Sequence, residues 1–371
     1  MFRLSPRLAV SVVLAFLLLT LPAVPALRAA ESAGRLDLEA GSLSHPVGLS
    51  WEEAAPYLHG ALSYELAVDA GDSRWEFSYQ GDLTVFDESV GLGYDRHALG
   101  VEYVRPPRTA GGGGWSAGLQ GAVRVQDPAL AAYDHTEFFG YLAGKTYVHP
   151  RVMLRGVAGL RSRSYDALPE ESYAEPHALV ELKHFSENRT TLGATVRLGG
   201  KWYHDAVAPR VWGTRTTPVT SQLSAGLDLA RGLSDRVGVR ASVLGRFGLD
   251  SFPYYVADDI YDSPLLDRYA SNGWGASGEV KILTPSTLWL RLGAGLREDD
   301  FGDIVFADGI GGGARRRDTS LDLWLAAERR LDWAGRSLTF KGHVGWTDQS
   351  STLDVYTWSG VTAGGGLQWR W

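Results

Sequence analysis

Basic side chains recur at alternate positions through the middle and end of this 371-residue chain. Arg155, Arg161, Arg163, Lys183, Arg197 and Lys201 come first, then Arg240, Arg246, Arg291, Arg297 and Lys341. Many have apolar neighbours on both sides: Arg197 lies between Val196 and Leu198, and Arg291 between Leu290 and Leu292. Carboxylates share the polar parity at Glu175, Glu181, Asp228, Glu279, Asp322 and Glu328, but there are fewer of them. Such a set can do two things. It can form ion pairs, or, where cations outnumber carboxylates, it can hold a positive potential that concentrates anions. The basic residues form no run and the net charge is -7, so a nucleic-acid partner is not expected.

Other chemistry is thinly represented. His184, Phe185 and Ser186 place a base two residues from a hydroxyl, beside Glu187. That spacing resembles the short motif of some outer-membrane lipid deacylases, but two residues do not make a triad, which is recognised by geometry. Asp250, Asp258, Asp259, Asp262 and Asp267 share one segment, and Asp299, Asp300, Asp303 and Asp308 another. Neither fits the regular ligand spacing of a calcium loop, so solvated surface charge is the expectation. No two histidines have metal-binding spacing and there is no Cys, which removes disulfides and thiolate metal sites. Gly111 to Gly114 lacks the Lys and helix of a phosphate loop. No catalytic residue, cofactor or metal site is expected.

Strands position these groups. Leu62, Tyr64, Leu66 and Val68 alternate with polar residues, and so do Leu192, Ala194, Val196 and Leu198, or Leu288, Leu290, Leu292, Ala294 and Leu296. A strand sends alternate side chains to opposite faces, so each segment has an apolar and a polar side. Counting them gives about sixteen strands, with about fourteen as the alternative because the stretch from Phe86 to Trp115 is ambiguous. Short turns fall at Ala70 to Asp72, His149 to Pro150, Ser186 to Arg189, Gly232 to Arg236, Thr284 to Ser286 and Asp332 to Arg336. Longer connections alternate with them, near Ser44 to Pro56, Asp205 to Thr217, Leu249 to Asn272 and Asp299 to Arg317. Pro106 to Gly114 breaks this rhythm by being long on the short-turn side.

Residues 1 to 30 read as a cleaved signal peptide, with Arg3 and Arg7, an apolar Leu8 to Leu21 and small residues to Ala30. A charged side chain facing lipid at mid-membrane costs about 2 to 4 kcal/mol, so in any membrane barrel these basic residues must face inward. The outward Trp residues sort to strand ends, Trp75, Trp115, Trp369 and Trp371 at one rim and Trp202, Trp274 and Trp346 at the other.

The chain stops on an amphipathic strand, Val361 to Trp371. It thereby resembles Gram-negative outer-membrane β-barrels of porin-like, uncharacterised type, over residues 31 to 371. Tyr173 to Tyr203, with Glu175, Pro176, Arg189, Thr190, Thr191 and Leu192, carries part of the likeness. The resemblance implies an all-β, transmembrane, antiparallel up-and-down barrel in the bacterial outer membrane. Its partners would be outer-membrane lipid and the barrel-assembly machinery that reads the last strand. The expected function is a passive pore for small, anionic solutes, without enzymatic activity. The alternatives are a structural or ligand-binding barrel whose loops plug the lumen or dock an envelope partner, and a lipid-modifying enzyme built on Ser186 and His184.

Overall fold

A computed structural model describes residues 30–44, 54–86, 92–107, 112–169, 172–204, 209–210, 213–214, 219–249, 271–304, 314–333 and 335–371. The segment expected to be a signal peptide and most of the long connections, with the acidic cluster from Asp250 to Asp267, lie outside the described residues.

The alternating segments become strands: β1 (Ala30–Leu43), β2 (Ala55–Ala70), β3 (Ser73–Phe86), β4 (Tyr94–Arg105), β5 (Gly114–Gln126), β6 (His135–His149), β7 (Val152–Tyr165), β8 (Tyr173–Phe185) and β9 (Thr190–Tyr203). A two-residue pair follows, β10 (Pro209–Arg210) with β11 (Gly213–Thr214). Then come β12 (Val219–Gly232), β13 (Val237–Gly248), β14 (Asn272–Leu283), β15 (Leu288–Ile304), β16 (Ala314–Trp333), β17 (Arg336–Ser351) and β18 (Trp358–Arg370). All except β10 and β11 pair with their neighbours in a single antiparallel ring, closed where β18 meets β1. The ring has sixteen strands, which removes the fourteen-strand count: Phe86 to Trp115 holds the end of β3, all of β4 and the start of β5.

Closure removes every sheet edge, so each wall strand finds backbone partners on both sides. At the seam, Arg35 pairs with Arg370, Leu36 with Trp369, Asp37 with Gln368 and Leu38 with Leu367. The Trp371 and Gly34 backbones extend it, with N–H···O bonds of 3.0 and 3.1 Å in the two directions. Antiparallel partners share a face, so the parity set at the seam propagates around the ring. Leucines such as Leu99, Leu142, Leu198, Leu227 and Leu323 are exposed, while Asp37, Arg163, Glu175, Lys201 and Gln368 are buried. This inversion of the ordinary globular pattern makes the outer wall apolar and the interior polar.

The turns keep the order read from the sequence, with left-handed residues where chain reversal demands them. Gly71 (φ 64°) and Gly335 (φ 77°) serve the β2–β3 and β16–β17 turns. Arg189 (φ 60°) and Thr287 (φ 63°) do the same work in the β8–β9 and β14–β15 turns. One connection was drawn too long: Asp299 and Asp300 belong to β15, which runs to Ile304 and pairs with a β16 beginning at Ala314. The segment carries charge at both parities, which erases the period-2 signal.

Candidate functional site

The ladder register determines which side chains share the inner face. On β7, Arg155, Arg161 and Arg163 stand opposite Glu181, Glu175 and Tyr173 of β8. Lys183 lies opposite Gly193, and Arg197 opposite Leu179 on one side and Ser224 on the other. Lys201 lies opposite Thr220, and Arg246 opposite both Ser224 and Gly273. Arg240 faces Glu279, Arg291 faces Lys281, Arg297 faces Gly275, and Lys341 faces Gly366.

Two kinds of environment divide this face. On β12 to β18 and β1 most of the named bases are matched, Lys281 opposite Arg291 being an exception. Arg240 bonds Asp228 at 3.2 Å, Arg291 bonds Glu328, and Asp299 takes both Arg246 and Arg297, the latter at 2.8 Å. Lys341 reaches Asp37 across the seam at 2.8 Å, where Arg35 and the Gln368 amide also donate, at 2.6 and 2.7 Å. Arg240–Asp228 and Arg291–Glu328 tie neighbouring strands, and Arg246–Asp299 and Lys341–Asp37 reach across an intervening one.

On β5 to β9 bases outnumber carboxylates among the described residues. The inner face there carries Arg124, Lys145, Arg155, Arg161, Arg163, Lys183, Arg197 and Lys201 against Glu137, Glu175 and Glu181. Glu137 holds Arg163 at 2.8 Å and Arg161 at 3.6 Å, and Arg161 also reaches the buried Glu175 at 3.5 Å. Glu181 holds Lys183 at 2.7 Å and Arg155 at 3.9 Å. Arg124 lies 3.9 Å over the Tyr94 ring, and Lys201 4.7 Å over that of Tyr173. Arg197 and Lys145 have no carboxylate partner among the described residues. One side of the interior is therefore a cationic stripe.

Sequence reading passed over an aromatic strip embedded in that stripe. Phe139 stacks on His177 (5.6 Å between centroids, 9° between planes) and on Tyr141 (5.4 Å, 22°). Arg161 sits 5.8 Å from the Phe139 centroid. Two of the rings lie over cross-strand glycines: the space a Cβ would occupy on Gly118 is taken by Tyr141, and that on Gly159 by His177, while Phe139 faces Gln120 and Arg161. Trp324 likewise covers Gly293, and Lys281 lies 4.2 Å from the Trp289 centroid. The available signal was an aromatic at the polar parity opposite a Gly, but in Phe138-Phe139 adjacent apolar residues hide parity.

On the outer face, Trp75, Tyr103 and Trp115 form a run at one rim, with centroids 5.1 and 5.3 Å apart, and Trp369 and Trp371 lie 4.7 Å apart beside it. Trp202 and Trp274 are exposed at the opposite rim. Trp346 lies further from its strand end and donates its indole N–H to Ser359 at 3.1 Å. Trp333, not singled out by its sequence position, is 79% exposed at the end of β16. His184 shares the outer face with Leu182, while Ser186 starts the β8–β9 turn and donates its backbone N–H to Thr190.

The comparisons with known proteins fit this geometry. A solved structure titled bacterial polysaccharide outer membrane secretin superposes with a TM-score of 0.51 at 10% identity, covering 92% of this chain and 97% of that one. OccAB2 of Acinetobacter baumannii gives 0.51 at 9% identity, over 92% and 98%. The outer membrane protein opdK of Pseudomonas aeruginosa gives 0.50 at 10%, over 92% and 99%. The fold is the outer-membrane β-barrel. No family model matches the sequence, and no curated protein matches it. At these identities the barrel likeness reaches the backbone architecture, and the side chains of the inner face have to be read on their own.

Proposed function

We propose that the protein is an outer-membrane channel through which small anionic solutes diffuse passively. The cationic stripe of β5 to β9 carries this reading. A sixteen-stranded ring is too wide for side chains to fill, so its interior holds water. Eight basic residues, Arg124 to Lys201 as named above, then line one side of that water against three carboxylates. An excess of cations over carboxylates in a lumen walled by low-dielectric lipid raises the local anion concentration, by the logic of charged rings in pores. Arg197 and Lys145 are the least neutralised and contribute most.

The outer wall supports the setting. Its exposed leucines and valines form the band that lipid requires, and Trp75, Trp115, Trp202, Trp274, Trp369 and Trp371 bracket it as interfacial anchors, with Trp346 set further in. Export would use the leader at residues 1 to 30, and the terminal strand ending in Trp371 would engage the assembly machinery.

The test is the reversal potential of the purified mature protein in planar bilayers across a KCl gradient. Preference for chloride is expected, reduced by the double charge reversal Lys145→Glu with Arg197→Glu. A cation-selective or non-conducting barrel would overturn the proposal.

A further inference from the structure

The outer wall bears a groove where β8, β9, β12 and β13 meet, with a volume of about 400 Å³. Its shape follows from the ladder. One row across the four strands reads Leu182, Ala194, Leu227, Val243, and the next row toward the rim reads His184, Leu192, Leu229, Ala241. The small residues Ala194 and Ala241 form the floor and the leucines form the sides. On β13 the groove runs from Ala241 to Val243, about 7 Å along the strand, and its inner end at Val243 lies six residues, roughly 20 Å along a tilted strand, from Val237 at the rim, a distance comparable with one leaflet.

The rim end of the groove is basic. Arg231 lies two residues beyond Leu229 at the same outward parity, opposite Thr190 and Val239, and is exposed. Arg236 is exposed in the turn that joins β12 to β13 at the same rim, and His184 lines the groove itself. Two carboxylates lie nearby, and both are engaged: Asp235 by Arg189 at 2.6 Å and Glu187 by Arg151. Arg231 and Arg236 have no carboxylate partner among the described residues.

An apolar slot that lies within one leaflet of a rim carrying two unengaged guanidiniums matches a molecule with an acyl chain and an anionic head. We propose that this groove is a binding site for an anionic phospholipid of the leaflet at the short-turn rim, with one chain over Ala194 and Ala241 and the phosphate on Arg231 and Arg236. The inference rests on the reading that the barrel spans a membrane.

Native mass spectrometry of the mature protein in detergent tests it, with palmitoyl-oleoyl phosphatidylglycerol or phosphatidylcholine added at equal ratio. Phosphatidylglycerol should be retained roughly tenfold more than phosphatidylcholine, since two basic residues act on its headgroup. Arg231→Gln with Arg236→Gln should abolish the preference. Ala194→Leu, which fills the slot without touching charge or the inner face, should lower retention of both lipids. Equal retention of the two lipids by the wild type, or a preference unchanged in both variants, overturns the site. So does a dimer that Ala194→Leu dissolves, since the groove would then take a second copy. A protein that carries neither detergent nor any lipid would instead overturn the membrane reading beneath it.

Discussion

Single residues do opposite jobs on the two faces of one strand. Gly293 shows how tightly the inner face is fitted: Trp324 occupies the space where a Cβ would go. Gly293→Ala must therefore push the indole off its seat, and a destabilisation of about 1 to 3 kcal/mol is expected, as for other overpacked sites. Denaturant titration in detergent, with Trp fluorescence as the signal, measures it. Arg316 is the more consequential case. It is 1% exposed, lies 4.1 Å from the Phe301 centroid and 3.4 Å from that of Tyr356, and bonds Asp318 through Nε and Nη2. Arg316→Met leaves the buried Asp318 with Ser351 as its remaining side-chain donor, at a cost of about 3 to 5 kcal/mol. Because Tyr356 belongs to the short 3-10 turn before β18, the loss should appear as faster hydrogen exchange around Asp354 to Thr357. Unchanged exchange there would contradict the clamp. Neither site was legible in the sequence, since which side chain covers a glycine depends on strands that only register brings together.

At the scale of the element, the seam is the most exacting structure. β1 and β18 are the first and last strands of the ring, so of all the strand pairs theirs has the largest loop entropy to overcome. Its rim is fixed by the two backbone bonds between Trp371 and Gly34, with the Trp371 ring laid over Gly34. Deleting Trp371 removes both bonds and the ring, and should slow folding into lipid vesicles several-fold with little change to the folded spectrum. Band-shift kinetics on unheated gels measures this, and an unchanged rate would argue that the seam closes without its terminal residue. The strands themselves were the readable part of the sequence, because a half-lipid, half-water wall imposes a strict period of two. Where that constraint lapses, the reading lapsed with it: at Asp299 to Ile304, charge at both parities hid six residues of β15. The weak stretch from Phe86 to Trp115 failed for a related reason, since Pro106, Pro107 and Gly111 to Gly114 blur the boundary between β4 and β5.

The whole molecule is a low-dielectric wall around charged water, and its selectivity should behave as a long-range field. Chloride preference should shrink as KCl rises from about 0.1 to about 1 M, because the screening length falls from about 10 Å to about 3 Å. Selectivity independent of salt would point instead to a tight binding site. The excess of bases over carboxylates between Trp115 and Tyr203 was visible in the sequence, yet the neutralisation of bases on the remaining strands was not, because pairing there depends on cross-strand partners such as Asp37 and Lys341, 304 residues apart. The central claim, an oily exterior around an ionic, water-filled interior, is tested most directly at two adjacent residues. The chain has no Cys, so Val196→Cys and Arg197→Cys each introduce a unique thiol. With the protein in bilayers, a charged, membrane-impermeant thiosulfonate should react with Cys at 197 and change the single-channel current, and leave Cys at 196 unmodified. Equal reactivity at the two positions, or reaction at 196 alone, would contradict the account.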